Sequence, residues 1–277
     1  MTVAREPGRS GYALLRGEPE RLAALVRDER VAASQPHAVT SGSGNVRTFE
    51  GQLEHLQWYI DQVDPPESYG WYGNWIATYP ARTFVVAVLD TGVAYETATR
   101  DGVDYVAVPS LAASPIVAPY DFVNDDPHAN DDHQHGTHIA SLISASHAVS
   151  ELHGISPEAG IMPVKVLDEH NQGVELDLIE GIWHAVANQA DVINMSLSFS
   201  EGYHPSPALQ EAIQAAHDAG IVMIGAAGND GSDFVTWPAA SPHVMAIGSS
   251  TAVPWSEGDF EMQAPAGYTN LSAGIDL

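Results

Sequence analysis

The chain has 277 residues, 44% of them hydrophobic, and its 36 acidic against 10 basic side chains give a formal net charge of −26. Nucleic acids and anionic membrane surfaces bind basic patches, so neither is expected as a partner. Cysteine is absent, which excludes disulfides, zinc–thiolate sites and cysteine nucleophiles.

The first 50 residues or so predict a small unit with a pattern of its own. Residues 12–15 are typical of a short strand, residues 18–30 carry apolar side chains at helical spacing, and residues 31–39 fit another extended piece. Serine and glycine then alternate in residues 40–45, which predicts a flexible linker. Residues 1–19 hold charges and no apolar stretch, so no secretory signal is predicted there.

From residue 84 onward, predicted strands alternate with predicted helices. The strands are at residues 84–89, 161–167, 191–195, 221–226 and 244–247, and the helices at 136–148, 176–188 and 207–219. This alternation predicts an α/β fold in which helices cover both faces of a parallel sheet. Functional side chains are then expected at the carboxyl ends of the strands.

Three residues at such positions are of types that could take part in catalysis. Asp90 directly follows the first apolar strand, where a carboxylate can orient a histidine, although a turn or cap aspartate has the same pattern. His135 stands beside a glycine at a helix start and titrates near neutral pH, as a general base must, although a surface histidine fits too. Asn229 offers a carboxamide donor to an oxyanion, or forms an ordinary Gly-Asn turn. Metal binding is a further alternative because more histidines lie nearby: His128, His133 and His138.

Together these motifs resemble the subtilisin-like serine proteases, the subtilase family. The matching stretches are Asp90-Thr91-Gly92, His135-Gly136-Thr137-His138, Ala227-Gly228-Asn229, residues 162–167 and residues 191–197. The resemblance spans about residues 57–277. It implies a three-layer α/β/α fold with a mostly parallel sheet, incomplete at its carboxyl end, and serine endopeptidase chemistry.

By this resemblance Asp90 orients and charge-stabilises His135, which deprotonates a serine that attacks a peptide carbonyl. Asn229 donates to the developing oxyanion. The resemblance also implies a set of residues that flank the first specificity pocket and pair with an extended peptide substrate: Ser196, Leu197, Ser198, Ala226, Ala227 and Gly228.

The chain departs from the family in lacking a Gly-Thr-Ser segment, where the nucleophilic serine of the family lies. Ser272 is a poor substitute because no glycine-flanked helix start follows it. We therefore expect the chain by itself to be inactive and to associate with a second polypeptide that carries Gly-Thr-Ser. The alternative is a pseudoprotease that binds extended peptides, or a protease partner, without cutting.

A loop before His135 resembles a calcium-binding loop of thermitase-like subtilases. Its matching positions are Asp121, Asp126 and Asn130, and their oxygen ligands suit a hard cation. A solvated acidic loop is the alternative. The resemblance also divides the chain into a propeptide-like or docking extension with its linker, residues 1–50, and a catalytic domain, residues 51–277. Secretion is expected from the family, and a cytoplasmic location if Met1 is the native start.

Overall fold

The computed structural model describes residues 2–5, 14–16, 39–42, 84–100, 102–146, 152, 154–250 and 265–272. The predicted helix at 18–30 lies outside the described residues, as do residues 273–277. Among the described helices, none is long and apolar enough to cross a membrane.

The described strands and helices follow the chain in the predicted alternation. The strands are β1 (Thr2–Arg5), β2 (Leu14–Arg16), β3 (Val39–Gly42), β4 (Val85–Asp90), β5 (Ala98–Arg100), β6 (Val103–Tyr105), β7 (Tyr120–Asp121), β8 (Gly160–Lys165), β9 (Gln172–Val174), β10 (Val192–Met195), β11 (Leu197–Phe199), β12 (Val222–Ala226) and β13 (Met245–Ile247). The α-helices are α1 (His135–Ser144), α2 (Glu175–Ala187) and α3 (Pro207–Asp218).

Six strands form the main sheet in the order β13-β12-β10-β4-β8-β7, and every neighbouring pair is parallel. The carboxyl ends of β4, β10 and β12 therefore lie side by side along one edge of the sheet. These are the ends that carry the predicted functional loops.

Strand β4 explains why the sheet has helices on both faces. All six of its side chains are buried, and successive side chains of a strand point to opposite faces. Val85, Ala87 and Leu89 belong to one hydrophobic core with residues of α2 and α3. Val86 and Val88 belong to a second core with α1. The predicted three-layer α/β/α architecture is confirmed.

The linker prediction is wrong at Thr40, Ser41 and Gly42. These residues lie in β3, the middle strand of a three-stranded antiparallel sheet in the order β11-β3-β9. Composition alone cannot separate the two cases, because short runs of small polar residues occur both in free linkers and in extended strands.

Candidate active site

Asp90 and His135 form a buried carboxylate–imidazole pair. Asp90 is the last residue of β4, and His135 is the first residue of α1. His135 Nδ1 lies 2.7 Å from Asp90 Oδ1, and the two residues are 3% and 0% exposed. The expected hydrogen-bonding distance is thus present. Because an ionised carboxylate can only accept, Nδ1 donates, and Nε2 is the basic nitrogen whenever the ring is neutral.

Close packing holds the two segments of this pair against each other. A Cβ on Gly136 would overlap the carbonyl oxygen of Gly92 and lie 3.1 Å from the Cβ of Asp90. Only glycine at position 136 therefore lets the first turn of α1 approach the end of β4 this closely.

Lys165, the single lysine of the chain, connects the segments around this pair through hydrogen bonds. It is 1% exposed, and its ammonium donates to the carbonyl oxygens of Thr91 and Leu167, both at 2.8 Å, and to Asp132 Oδ1 at 2.6 Å. Sequence reasoning did not identify this role, although a lone lysine inside an apolar strand was the available signal. A buried ammonium persists only when it is paired and hydrogen-bonded in this way.

Asn229 lines a cavity of about 220 Å³ beyond the carboxyl end of β12. Its other lining residues are Ser196, Ala226, Ala227, Gly228, Ile247, Gly248, Ser249, Tyr268 and Thr269. Four of the six predicted pocket residues are therefore brought together with Asn229, whose side chain is exposed.

The other two predicted pocket residues, Leu197 and Ser198, do not line this cavity. Leu197 is fully buried in the core, and Ser198 is half-buried in β11. Their backbones instead pair with β3, opposite Gly42 and Ser41 respectively.

Asn270 supports the loop that carries Asn229, and sequence reasoning missed it. Its Oδ1 accepts hydrogen bonds from the amides of Asp230 at 2.9 Å and Ser232 at 3.1 Å, and its own amide donates to Gly228 O at 3.0 Å. Asn270 is fully buried. The contact joins positions some 40 residues apart, so no local sequence pattern could have predicted it.

The predicted calcium loop contains a buried oxygen atom without a hydrogen-bond partner and a carboxyl group whose ionised form is disfavoured by burial. Asn130 is 3% exposed, and its Oδ1 is buried without a hydrogen-bond partner in the described structure, while its Nδ2 donates to Glu96 at 2.8 Å. Asp121 accepts from the amides of Val123 and Asn124, yet burial raises the pKa of its carboxyl. Both features fit a hard cation.

Two further acidic side chains at or near that loop differ in their surroundings. Asp126 is half-buried, and its Oδ1 accepts from the amide of His128 at 2.7 Å. Burial raises the pKa of Glu96, but hydrogen bonds from Asn130 and Arg100 outweigh it, so the pKa of Glu96 lies below its usual value. Glu96 was not among the predicted residues, because it precedes Asp121, the first residue of the loop, by 25 residues.

In the described part of the chain, a single group of three or more acidic or histidine side chains brings its ligand atoms together, and it lies outside the predicted calcium loop. Asp168, Glu169 and His170 present ligand atoms within 4.8 Å of one another on a largely exposed turn. The four histidines from residue 128 to 138 form no such group among the described residues.

The sequence profile of the subtilase family matches residues 81–274. The chain belongs to the subtilase family. It is 35% identical over 210 residues to the thermostable alkaline protease of Halalkalibacterium halodurans, covering 73% of this chain and 51% of that protein. It is 32% identical over 214 residues to the major intracellular serine protease of Bacillus subtilis, covering 73% and 59%. The chain thus spans about half the length of these curated relatives.

Solved structures agree with this assignment. The prenylagaramide maturation protease PagA superposes with a TM-score of 0.54 at 26% identity, covering 74% of this chain and 64% of that one. A cold-adapted subtilisin-like serine proteinase superposes with a TM-score of 0.53 at 28% identity, covering 71% and 64%. The resemblance inferred from the motifs and the predicted fold are both confirmed.

Proposed function

We propose that this chain is the part of a serine endopeptidase that carries the general base and the oxyanion donor. The observation that carries the proposal is the buried contact of 2.7 Å between His135 Nδ1 and Asp90 Oδ1 at the carboxyl edge of a parallel sheet. In a chain of this family, a carboxylate that fixes the imidazole tautomer leaves Nε2 to take a proton from a nucleophile.

The proposed reaction assigns one step to each group. His135 Nε2 removes the proton of a serine hydroxyl as its oxygen bonds to the peptide carbonyl carbon, and Asp90 stabilises the imidazolium that forms. Asn229 donates a hydrogen bond to the carbonyl oxygen as it becomes negative. His135 then returns the proton to the leaving amine, and water hydrolyses the acyl-enzyme by the same route.

The serine itself is proposed to lie outside residues 1–277, on a segment or polypeptide that completes the catalytic domain. Residues 1–277 contain no Gly-Thr-Ser, and Ser272 is an exposed residue. Exposed apolar side chains near the cavity support a companion surface: Met245 is 47%, Tyr268 55% and Leu271 44% exposed. Such side chains are stabilised when a partner covers them.

The sheet β11-β3-β9 supports an extended peptide as the substrate. Strand β3 pairs with β11 on one side and with β9 on the other, antiparallel to both, so these strands accept an extended segment between them. A peptide bound this way gains main-chain hydrogen bonds on both sides, which gives affinity without sequence preference. We infer that β3 occupies the place of substrate and inhibits the complex.

Ser41→Pro tests that inference. Proline lacks the N–H group, and in a middle strand each N–H faces a partner, so the variant weakens the pairing of β3. We expect a lower KM for a peptide substrate in Ser41→Pro and an unchanged KM in the matched control Ser41→Thr, which keeps the N–H. An unchanged KM in both variants would contradict an inhibitory β3.

The test of the main proposal is reconstitution. The full chain is mixed with a polypeptide that carries Gly-Thr-Ser and the rest of a subtilase domain, and hydrolysis of a peptide ester is followed. We expect hydrolysis by the mixture, and a rate lower by at least about 1,000-fold with the His135→Ala chain or with the serine of Gly-Thr-Ser changed to alanine. An undiminished rate in His135→Ala would refute the proposed role of His135.

A pseudoprotease is the second candidate, and the pairing of β3 between β9 and β11 favours it as well, because peptide binding needs no nucleophile. It predicts that the reconstituted mixture binds an extended peptide and leaves it intact over hours, whereas the peptidase proposal predicts its cleavage.

A calcium ion is proposed to stabilise the loop before His135. Asn130, Asp126, Asp121 and Glu96 are the candidate ligands. The ligand atoms of the three carboxylates do not all lie within 4.8 Å of one another in the described structure, so binding would draw them closer together. The role is structural, because the loop leads into α1 and so supports the position of His135.

A further inference from the structure

The carboxylate of Asp131 connects the loop that follows Asp90 to the first turn of α1. Asp131 is half-buried, and its two oxygens accept five hydrogen bonds of 2.5 to 2.9 Å. The donors are Thr91 Oγ1, His133 N, Gln134 N, Thr137 N and Thr137 Oγ1.

Two threonine hydroxyls extend these bonds across the boundary between the two segments. Thr91 Oγ1 donates to Asp131 Oδ1 and accepts from the amide of Gly136 at 2.9 Å. Thr137 Oγ1 donates to Asp131 Oδ2 and accepts from the amide of Ala94, also at 2.9 Å. Asp131 is therefore the shared acceptor between the segment that ends β4 and the segment that begins α1.

The residue before His135 has an unusual backbone that Asp131 supports. Gln134 has φ +88°, in the left-handed region that residues with a Cβ rarely adopt. Its amide donates to Asp131 Oδ1 at 2.8 Å. Strained backbone persists where neighbouring contacts hold it in place, and here the strain directly precedes the imidazole.

We propose that Asp131 is a positioning residue that holds His135 at hydrogen-bonding distance from Asp90. Asp131 acts through the backbone of residues 133–137 and through two threonine hydroxyls, which donate the five hydrogen bonds described above. Its importance for turnover rests on the proposed peptidase function. Its effect on the geometry of the pair is independent of that function and can be measured on this chain.

The first measurement is the proton resonance of His135 Nδ1 in the full chain labelled with ¹⁵N-histidine. An imidazole N–H that donates to a buried carboxylate is shielded from exchange and resonates at low field; the signal is assigned by its loss in His135→Ala. We expect Asp131→Ala to lose or broaden it. The matched control is Asp191→Ala, which removes the 2.9 Å bond to Val85 N at the opposite end of β4 and should keep the signal.

The second measurement uses the reconstituted complex. A misplacement of a catalytic group by about 1 Å lowers the rate on the order of 100-fold, so Asp131→Ala should lower kcat to that extent with little change in KM. Asp191→Ala should leave kcat unchanged. Because Asp131 acts through His135, Asp131→Ala should add no further loss to a chain that already carries His135→Ala.

A conservative pair of variants covers the case in which Asp131→Ala does not fold. Thr91→Val removes one bridging hydroxyl and should weaken the His135 signal, whereas Thr91→Ser keeps the hydroxyl and should restore it. A wild-type resonance in both Asp131→Ala and Thr91→Val would overturn the proposal. So would a double variant, Asp131→Ala with His135→Ala, whose loss of kcat equals the product of the two single losses. If the resonance responds as expected and the complex never hydrolyses peptide, the peptidase function fails while the positioning of His135 stands.

Discussion

Gly228→Ala perturbs the loop that carries the proposed oxyanion donor at a position where the structure leaves no room. Gly228 has φ +113°, and a Cβ there would overlap Asn270 Nδ2 and lie 3.0 Å from Thr236 Oγ1. Asn270 is fully buried, so its carboxamide cannot swing away into solvent. The variant should therefore strain the backbone and also displace Asn270.

The size of the effect follows from these two contributions. A residue with a Cβ in a positive-φ conformation costs about 1–3 kcal/mol. Displacing Asn270 also weakens the two bonds that its Oδ1 accepts, from Asp230 N and Ser232 N, each worth about 0.5–1.5 kcal/mol. The free energy of unfolding should fall by about 2–6 kcal/mol in total, of which about 1–3 kcal/mol belongs to the Asn270 contact.

Urea denaturation measures this, with Gly220→Ala as the matched control. Gly220 has φ +77°, but no heavy atom beyond its two chain neighbours lies within 4 Å of the position of its added Cβ, so only the backbone strain applies. We expect the free energy of unfolding to fall further in Gly228→Ala than in Gly220→Ala, by the part assigned to the Asn270 contact. In the double variant Gly228→Ala/Asn270→Ala, the loss should be smaller than the sum of the two single losses, because both changes disrupt the same contact. Equal losses at the two glycines would refute the reasoning.

Four other outcomes are expected. In the reconstituted complex His135→Ala should lower kcat by at least about 1,000-fold. Asn229→Ala should lower kcat by the loss established for such a donor in subtilisin, on the order of 100- to 1,000-fold. A chelator should lower the melting temperature of the wild-type chain and leave that of Asn130→Ala unchanged; equal effects on both would exclude calcium at this loop. Partial burial of the ring, and then repulsion from His135 once its ring is protonated, lower the pKa of His138, so the unfolded chain binds more protons below the usual value of 6.5. Stability should therefore fall from about pH 7.5 to 5.5, and it should fall less in His138→Gln; an equal fall would contradict this origin.

The sequence predicted those parts of the molecule that depend on local pattern. Strand β4 is buried on both faces, and its continuous apolar run predicted a strand inside a parallel sheet. Parallel order then placed Asp90 and the loop of Asn229 on the same edge of the sheet, because strand ends align there. The start of α1 was predicted within one residue from the small and apolar side chains after His135.

What the sequence did not predict depends on contacts between distant segments. Thr40 and Ser41 have the composition of a linker, and only the flanking strands β9 and β11 make them part of a sheet. Asp131 stands in an acidic loop whose charges suggested a cation, whereas its oxygens accept five hydrogen bonds from residues 91–137. Asn270 and Lys165 act on loops that come together only in the folded chain.

The most direct test of the central claim is to locate the nucleophile in the complete complex. A serine-directed phosphonylating reagent is applied to the full chain together with the Gly-Thr-Ser polypeptide, and the intact mass of each chain is then measured. We predict one phosphonyl adduct on the partner's chain, lost when its Gly-Thr-Ser serine is replaced and greatly slowed by His135→Ala, with no adduct on residues 1–277. An adduct on this chain, at Ser272 or at any other serine, would contradict a nucleophile supplied from outside it.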